Sequence, residues 1–321
     1  MKYTSVIALL AAMAVQTNVS LADPVKMTIA TGVDPSFSAF YVAKNAGIFE
    51  KNGLDVQVNT GPSGSAMVAF VIQNQVQAAF GAEAAGIQNH NIDPNVVVAA
   101  EGALMLQWYG MVGRDIGSVE QLKGKKIGVA RGSGSEVFWL AMIDKLKLSA
   151  SDYKIVQVEA PEMVAALERR DIDAFSAWEP WLTRAVGSIQ NTKLLLGNEG
   201  IMSPRVYIYM NKGWASKNPV SAVSFMRSMV EATDLINKEP EKAAVLVSNF
   251  LKLDKDLTAS LMKKLRFDVR LDQSSIDNFV TIQEQLKGLG KLAKPVDLTQ
   301  FIEPKMLKEV RPEAVTLTLS K

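Results

Sequence analysis

The feature that most constrains this chain is a rhythm of alternating strand-like and helix-like segments that runs to about residue 210 and then stops. Val25 to Ala30 reads as a short strand, followed by a loop at Gly32–Pro35. Phe37 to Ala46 has helical spacing and meets Gly47, a residue suited to ending a helix. Leu54 to Val58 alternates apolar residues as a half-buried strand does. The loop Gly61–Ser65 and the helical pattern Ala66–Gln73 come next. Then follow a strand at Val76–Phe80, a helix at Ala84–Asn91 and a strand at Val96–Ala100. Strands separated by helices in this way imply right-handed crossovers and a parallel sheet.

A second set begins after Arg114-Asp115. Ser118-Val119-Glu120-Gln121 has the spacing of a capping box. Strands are predicted at Lys126–Ala130, Lys154–Val158 and Ile172–Ala177, with helices at Glu136–Lys147 and Pro161–Arg169. Arg205 to Met210 reads as one further strand. From Val220 to Leu289 the pattern is mostly helical, with breaks near Pro240 and Asp272. A single-domain barrel is the alternative, but the helical tail fits it poorly, so two α/β lobes are expected. The expected crossings are Met111–Asp115 and Ser203–Tyr209. The first lobe then takes residues 23–112 and 207–321, with the C-terminal helices packed back onto it, and the second takes residues 113–206.

Residues 1–22 stand apart from the fold. Lys2 precedes the apolar run Val6–Val15, and Ser20-Leu21-Ala22 has small residues at the spacing a signal peptidase needs. About ten apolar residues are too few to cross a bilayer, which takes roughly 20. A secretory leader and a periplasmic or otherwise extracytoplasmic destination are therefore expected. There is no cysteine, which excludes a disulfide framework, a lipid-modified cysteine and a thiol nucleophile. The leader holds one charged residue, Lys2, so removing it turns 35 basic against 33 acidic residues into 34 against 33. That balance leaves no electrostatic footprint for nucleic acid or an anionic membrane. A monomer without metal or cofactor is expected.

The candidate binding residues sit in loops that follow strands. Ser63, Gly64 and Ser65 form one such loop, and Gly132, Ser133, Gly134 and Ser135 another. Glycine lets backbone approach a ligand, and a helix N-terminus favours a negative group. The same serines also suit helix capping, and Ser133 with Glu136 has capping-box spacing. Asp34, Ser36 and Phe37 open the first helix, where Asp34 or Ser36 is a candidate N-cap. Gly81 and Glu83 follow the third strand, and Glu83 equally suits a first helical turn. Trp178 and Glu179 offer an indole face beside a carboxylate, which fits an amine or a nitrogen-rich ring. Trp108, with Tyr109, lies just before the first expected crossing. His90, the only histidine, is read as structural, and no zinc site or Ser-His-Asp arrangement can be built around it.

Several stretches together carry a family resemblance. Phe40-Tyr41-Val42-Ala43-Lys44-Asn45-Ala46-Gly47-Ile48-Phe49-Glu50-Lys51-Asn52-Gly53-Leu54-Asp55-Val56 resembles the opening signature of sulfonate/nitrate/taurine-type substrate-binding proteins of ABC transporters. Leu122-Lys123-Gly124-Lys125-Lys126-Ile127-Gly128-Val129, Gly132-Ser133-Gly134-Ser135 and Asp171-Ile172-Asp173-Ala174 leading to Trp178-Glu179-Pro180 extend the match over roughly residues 25–210. Arg170 departs from it, standing where many relatives have glycine. The resemblance implies a type II periplasmic-binding-protein-like fold, with two α/β lobes, a hinge and a ligand cleft between them. It also implies a small-molecule ligand handed to an ABC transporter permease with its ATPase subunit, and an acidic residue at Glu179 facing the cleft. A small organic anion such as a sulfonate or taurine-like compound is the ligand it favours. The alternative is a nitrogenous ring such as a thiamine pyrimidine precursor, since binders of these belong to the same superfamily. The non-binding alternative is a secreted enzyme on the same fold, although the pyrimidine-synthase relatives and the porphobilinogen-type deaminases use cysteines that this chain lacks.

Overall fold

The computed structural model describes residues 23–288 and 290–319, so the expected leader lies outside the described residues. β1 (Val25–Thr31) and β2 (Leu54–Thr60) run parallel, from Val25 opposite Leu54 to Thr31 opposite Thr60. β3 (Ala78–Gly81) lies along the other edge of β1, also parallel. The helices Ser38–Asn45 and Gly64–Ile72 make the crossovers that parallel neighbours require. After the helix Glu83–Ile92 comes β4 (Val96–Met105), buried nearly throughout.

The chain then builds a second sheet. β5 (Tyr109–Arg114), β6 (Lys126–Val129), β7 (Lys154–Gln157), β8 (Ala174–Trp178) and β9 (Thr192–Gly197) stand in the order β7-β6-β8-β5-β9. It returns as β10 (Arg205–Asn211), which inserts between β3 and β4. β11 (Leu265–Arg270) completes the first sheet, ordered β11-β4-β10-β3-β1-β2.

Neither sheet is wholly parallel, which corrects the sequence expectation. Strands joined by helices within one lobe are parallel, as β6 is to β7 and β8. The strand that enters each lobe from the other runs the other way. β10 is antiparallel to β3 and β4, and β5 is antiparallel to β8 and β9. An entering strand comes from the side toward which the others depart, so it must oppose them.

The crossings also lie earlier than expected. Residues 111–114 belong to β5, and residues 205–209 belong to β10, so the chain passes between sheets at residues 106–108 and 198–204. Asn198 ties the two crossings together. Its Oδ1 accepts from the backbone N–H groups of Trp108 and Tyr109 at 2.8 and 3.0 Å, and its Nδ2 donates to the Leu106 carbonyl at 3.1 Å.

The C-terminal helices pack onto the first lobe. Phe40 stacks on Phe80 of β3 with ring centres 3.9 Å apart, and Phe225 of the helix Pro219–Lys238 meets Phe40 edge-on at 5.9 Å. All three rings are buried, each contributing roughly 2–3 kcal/mol of apolar transfer. Pro240 opens the next helix, Pro240–Leu251, as a first-turn residue, so the break expected there is a helix start. Asp272 likewise accepts from Ser275 N–H at 3.0 Å and starts the helix Gln273–Gly288.

Candidate functional site

Four strand ends from two lobes meet at one place. Beyond β1, Asp34 precedes a short 3-10 turn, Pro35–Phe37, and accepts from the Ser36 N–H at 2.9 Å and the Ser36 hydroxyl at 2.5 Å. Beyond β2, Ser63 caps the helix Gly64–Ile72 by accepting from Ala66 N–H at 3.1 Å. From the second lobe, beyond β6, Ser133 caps the helix Gly134–Lys145. It accepts from Ser135 N–H at 3.1 Å and donates to the Ala130 carbonyl at 2.7 Å. Trp178 ends β8.

These ends enclose a small chamber. Asp34, Ser36, Phe37, Ser63, Gly64 and Ser65 line it from the first lobe, and Ser133, Gly134 and Trp178 from the second. Trp108 and Tyr109 close the side where the chain crosses between lobes. Ala82, Met105 and Val206 fill the remaining wall. The glycines are sterically required. A Cβ at Gly134 would overlap the Tyr109 hydroxyl, and one at Gly64 would sit 2.7 Å from Phe37 Cζ. Its free volume is ≈ 20 Å³, room for about one water-sized group. The lobes are closed on each other.

The electrostatics of the chamber are mixed. The helices Gly64–Ile72 and Gly134–Lys145 approach it from opposite lobes by their N-termini, which carry partial positive charge. No basic side chain lines it among the described residues. Asp34 is the one carboxyl in its wall among the described residues. Burial pushes the Asp34 pKa up to about 7, against the opposing pull of the Ser36 donors and the Trp178 indole of the other lobe. Burial, together with the negative charges of Glu83 and Asp34, raises Tyr109 well above the usual phenol range, so its hydroxyl stays protonated.

Five residues expected in the cleft lie elsewhere. Glu179 turns back onto its own helix, accepting from Thr183 N–H at 3.0 Å and the Thr183 hydroxyl at 2.9 Å, and pairs with Lys264 of the first lobe at 2.5 Å. Its carboxylate is consumed by a first-turn cap and an interlobe ion pair. Glu83 accepts from Arg205 N–H and from Asn278 Nδ2, each at 2.7 Å, inside the first lobe. Gly81 is paired with Tyr207 in the sheet, and a Cβ there would meet Val68 at 2.6 Å. Ser135 donates to the Ser176 carbonyl at 2.6 Å and accepts from Ala130 N–H at 3.1 Å, joining helix and sheet within the second lobe. Gly132, with φ 72°, faces a larger neighbouring cavity instead. His90 is buried against Phe301 and bonded to the Val96 carbonyl at 2.7 Å, away from the chamber. No cluster that could hold a metal occurs among the described residues.

The larger cavity measures ≈ 380 Å³ and shares Ser133 with the chamber. Its walls come from the helices Glu83–Ile92, Gly134–Lys145 and Gln273–Gly288. Lys291 pairs with Glu136 at 2.5 Å across it, a second ion pair between the lobes.

Met105 and Val206 were missed because they are ordinary apolar residues at strand ends, whereas Ala82 lies in the small-residue stretch after the third strand. Correct placement of the crossings puts Met105 and Val206 beside Trp108.

Two sheets joined by two crossings, with strand ends of both converging on an enclosed chamber, define the type II periplasmic-binding-protein fold. Residues 34–243 match the family described as NMT1/THI5 like, and the chain belongs to that family. It is 28% identical over 283 residues to a protein of Bacillus subtilis (strain 168) that bears the name of an aliphatic sulfonates-binding protein, covering 84% of this chain and 82% of that one. Among solved structures, it is similar to the alkanesulfonate-binding protein SsuA from Xanthomonas axonopodis pv. citri bound to MOPS. That likeness has a TM-score of 0.77 at 15% identity and covers 88% of this chain and 99% of the other. The desulfurization enzyme DSZB is also similar, with a TM-score of 0.69 at 16% identity over 90% and 99% of the two chains. At these identities the structural likeness is one of fold.

Proposed function

We propose that this chain is the extracytoplasmic solute-binding component of an ABC importer and holds a small organic anion, such as a sulfonate or taurine-like compound, between its lobes. The observation that carries the reading is the chamber itself. Two helix N-termini from opposite lobes point into it, each worth roughly 0.3–1 kcal/mol toward a negative group and more when buried. Phe37, Trp108 and Trp178 supply apolar walls around that point, and the ≈ 20 Å³ free there has to widen to admit an organic ligand. Because the contacts come from both lobes, ligand favours the closed state, and closure is what a permease with its ATPase would read. The leader-like residues 1–22 support export, and no described helix is long and apolar enough to cross a membrane.

Binding without turnover is the reading the residues favour. One structural neighbour is an enzyme, so the fold alone decides nothing. This chain has no cysteine, and its one histidine is outside the chamber. The serines that line it have no histidine base beside them. Thermal melts of the protein with alkanesulfonates, taurine, nitrate and amino-pyrimidines test the assignment. A ligand at about 100 times its Kd adds roughly 2.7 kcal/mol, an upward shift of roughly 4 °C. Stabilisation by the sulfonates is expected, and a shift with amino-pyrimidines alone refutes the anion.

One observation favours a second reading. Asp34 offers a buried acceptor in a chamber without basic side chains among the described residues, which suits a ligand bearing N–H donors, such as an amine or a nitrogenous ring.

A further inference from the structure

Away from the crossings, the helix Gly134–Lys145 of the second lobe and the helix Gln273–Gly288 of the first face each other across the ≈ 380 Å³ cavity. A gap of that size forfeits the dispersion contacts that close packing supplies, so apolar packing holds these two faces together only weakly. What spans the gap is charge. Lys291, just beyond the first-lobe helix and tied to it by its N–H on the Leu286 carbonyl at 2.8 Å, pairs with Glu136 at 2.5 Å. The Glu136 side chain is mostly buried, and its other oxygen accepts from Gly132 N–H at 2.9 Å. Gly132 adjoins Ser133, which lines the chamber. The other charged groups of the cavity wall are Asp144, on the same helix as Glu136, and Glu284 on the facing helix. Without Lys291 the two faces would meet as like charges.

The other interlobe pair has a different place. The Lys264 carbonyl accepts from Leu106 N–H at 2.9 Å and Gln107 N–H at 3.3 Å, and Glu179 N–H donates to the Trp108 carbonyl at 3.0 Å. Both partners of that pair are thus held at the first crossing, and a rotation about the crossings moves them little. No crossing residue lines the larger cavity, and Lys291–Glu136 is the one interlobe ion pair among the described residues without such a tie. We propose that Lys291 is a latch: by pairing with Glu136 it holds the ligand-free protein closed, and through Glu136 it couples closure to the Gly132–Ser133 loop. The inference needs only the two lobes and a hinge between them, and it is independent of which ligand the chamber takes.

The test is small-angle scattering of the ligand-free protein at a fixed pH, on wild type, Lys291→Met and Lys291→Arg. Raising the salt from about 0.01 to about 1 M shortens the reach of charge from about 30 to about 3 Å, so a latch held by charge loosens and the wild-type radius of gyration grows. Lys291→Met should be shifted toward the open form already at low salt. Its closed-to-open ratio is expected to lie roughly threefold to tenfold below wild type, between the effects of an exposed and a buried ion pair. Added salt then contracts this variant or leaves it unchanged, because the charges left on the facing walls repel. Lys291→Arg keeps the charge and should restore the wild-type curve, which a role in packing alone would not do. The latch is overturned by a wild-type radius that does not change with salt, by equal radii for wild type and Lys291→Met at low salt, or by an arginine variant that stays open. No ligand is present in this experiment, so its failure leaves the anion reading standing, and failure of the ligand melts leaves the latch standing.

Discussion

Replacing Asp34 by asparagine isolates the cost of burying a carboxyl between the lobes. The side chain is 4% exposed, and its pKa stands at about 7 against an ordinary 3.8, with burial as the main cause. A raised carboxyl pKa means that the closed state holds its proton more tightly than the opened or unfolded chain. Below about pH 4 both states are protonated and Asp34 contributes no difference. As pH rises from there to about 7 the solvated form ionises while the buried one does not, and closed-state stability falls by about 1.4 kcal/mol per pH unit. Above pH 7 the loss levels off at up to roughly 4 kcal/mol. The amide of the Asp34→Asn variant keeps an oxygen for the Ser36 donors and cannot ionise, so the variant should match wild type near pH 4 and exceed it at pH 8.5. In a thermal melt the ceiling corresponds to roughly 6 °C. If opening alone resolvates the carboxylate, the difference appears instead as a larger radius of gyration of wild type at high pH in small-angle scattering. Both quantities are to be measured from pH 4 to 8.5. Parallel curves for the two proteins in both assays would refute the burial argument. The same proton separates the two ligand classes. An anion binds best beside neutral Asp34, so its affinity weakens above pH 7, whereas a cationic ligand gains affinity there.

Three other substitutions probe the architecture. Asn198→Ala leaves the buried N–H groups of Trp108 and Tyr109 without their acceptor and should cost roughly 2–4 kcal/mol in urea unfolding, where a cost below about 0.5 kcal/mol would show that the crossings are not tied by this amide. Lys264→Met strips buried Glu179 of its interlobe partner; with Lys264 about one-third exposed, a loss of about 1–2 kcal/mol is expected, and adding Glu179→Gln should recover most of it. Trp178→Ala should weaken ligand binding by roughly tenfold or more by calorimetry while the free protein stays folded, and unchanged affinity would remove the indole from the ligand wall.

What the sequence makes legible is what neighbours along the chain decide. Ser63 and Ser133 read as caps because capping engages a donor two or three residues on, and both do so here. The breaks near Pro240 and Asp272 are visible for the same reason, and each is where a helix starts. β11 is not, although Leu265, Phe267 and Val269 alternate as strand residues do. Three such residues between two helical patterns do not outweigh them, and the strand exists because β4 offers a free edge. β5 escapes notice for a related reason. Gly110 and Gly113 dilute its apolar pattern, and what makes it a strand is pairing with β8 and β9, about 60 residues or more further on.

The same distinction explains the site. The strand-end loops stand out in the sequence as places where backbone donors and small residues gather, and the structure brings Asp34, Ser63, Ser133 and Trp178 to one chamber. The two carboxylates exchange importance between sequence and structure. Glu179 draws attention because it adjoins Trp178, yet its partners are Thr183, four residues on, and Lys264, 85 residues on. The first of these is readable as a helical first turn, and the second depends on how the lobes close. Asp34 reads as a cap, which it is, accepting from Ser36. Its second property, a carboxyl buried in a wall that also meets the Trp178 indole of the opposite lobe, joins residues far apart in the chain and is not written in either stretch alone. In a two-lobed binder the local code thus specifies each half of the site, whereas the charge the ligand meets is set by closure. For that reason the pH dependence of closure discriminates between ligand classes more sharply than any motif in the chain.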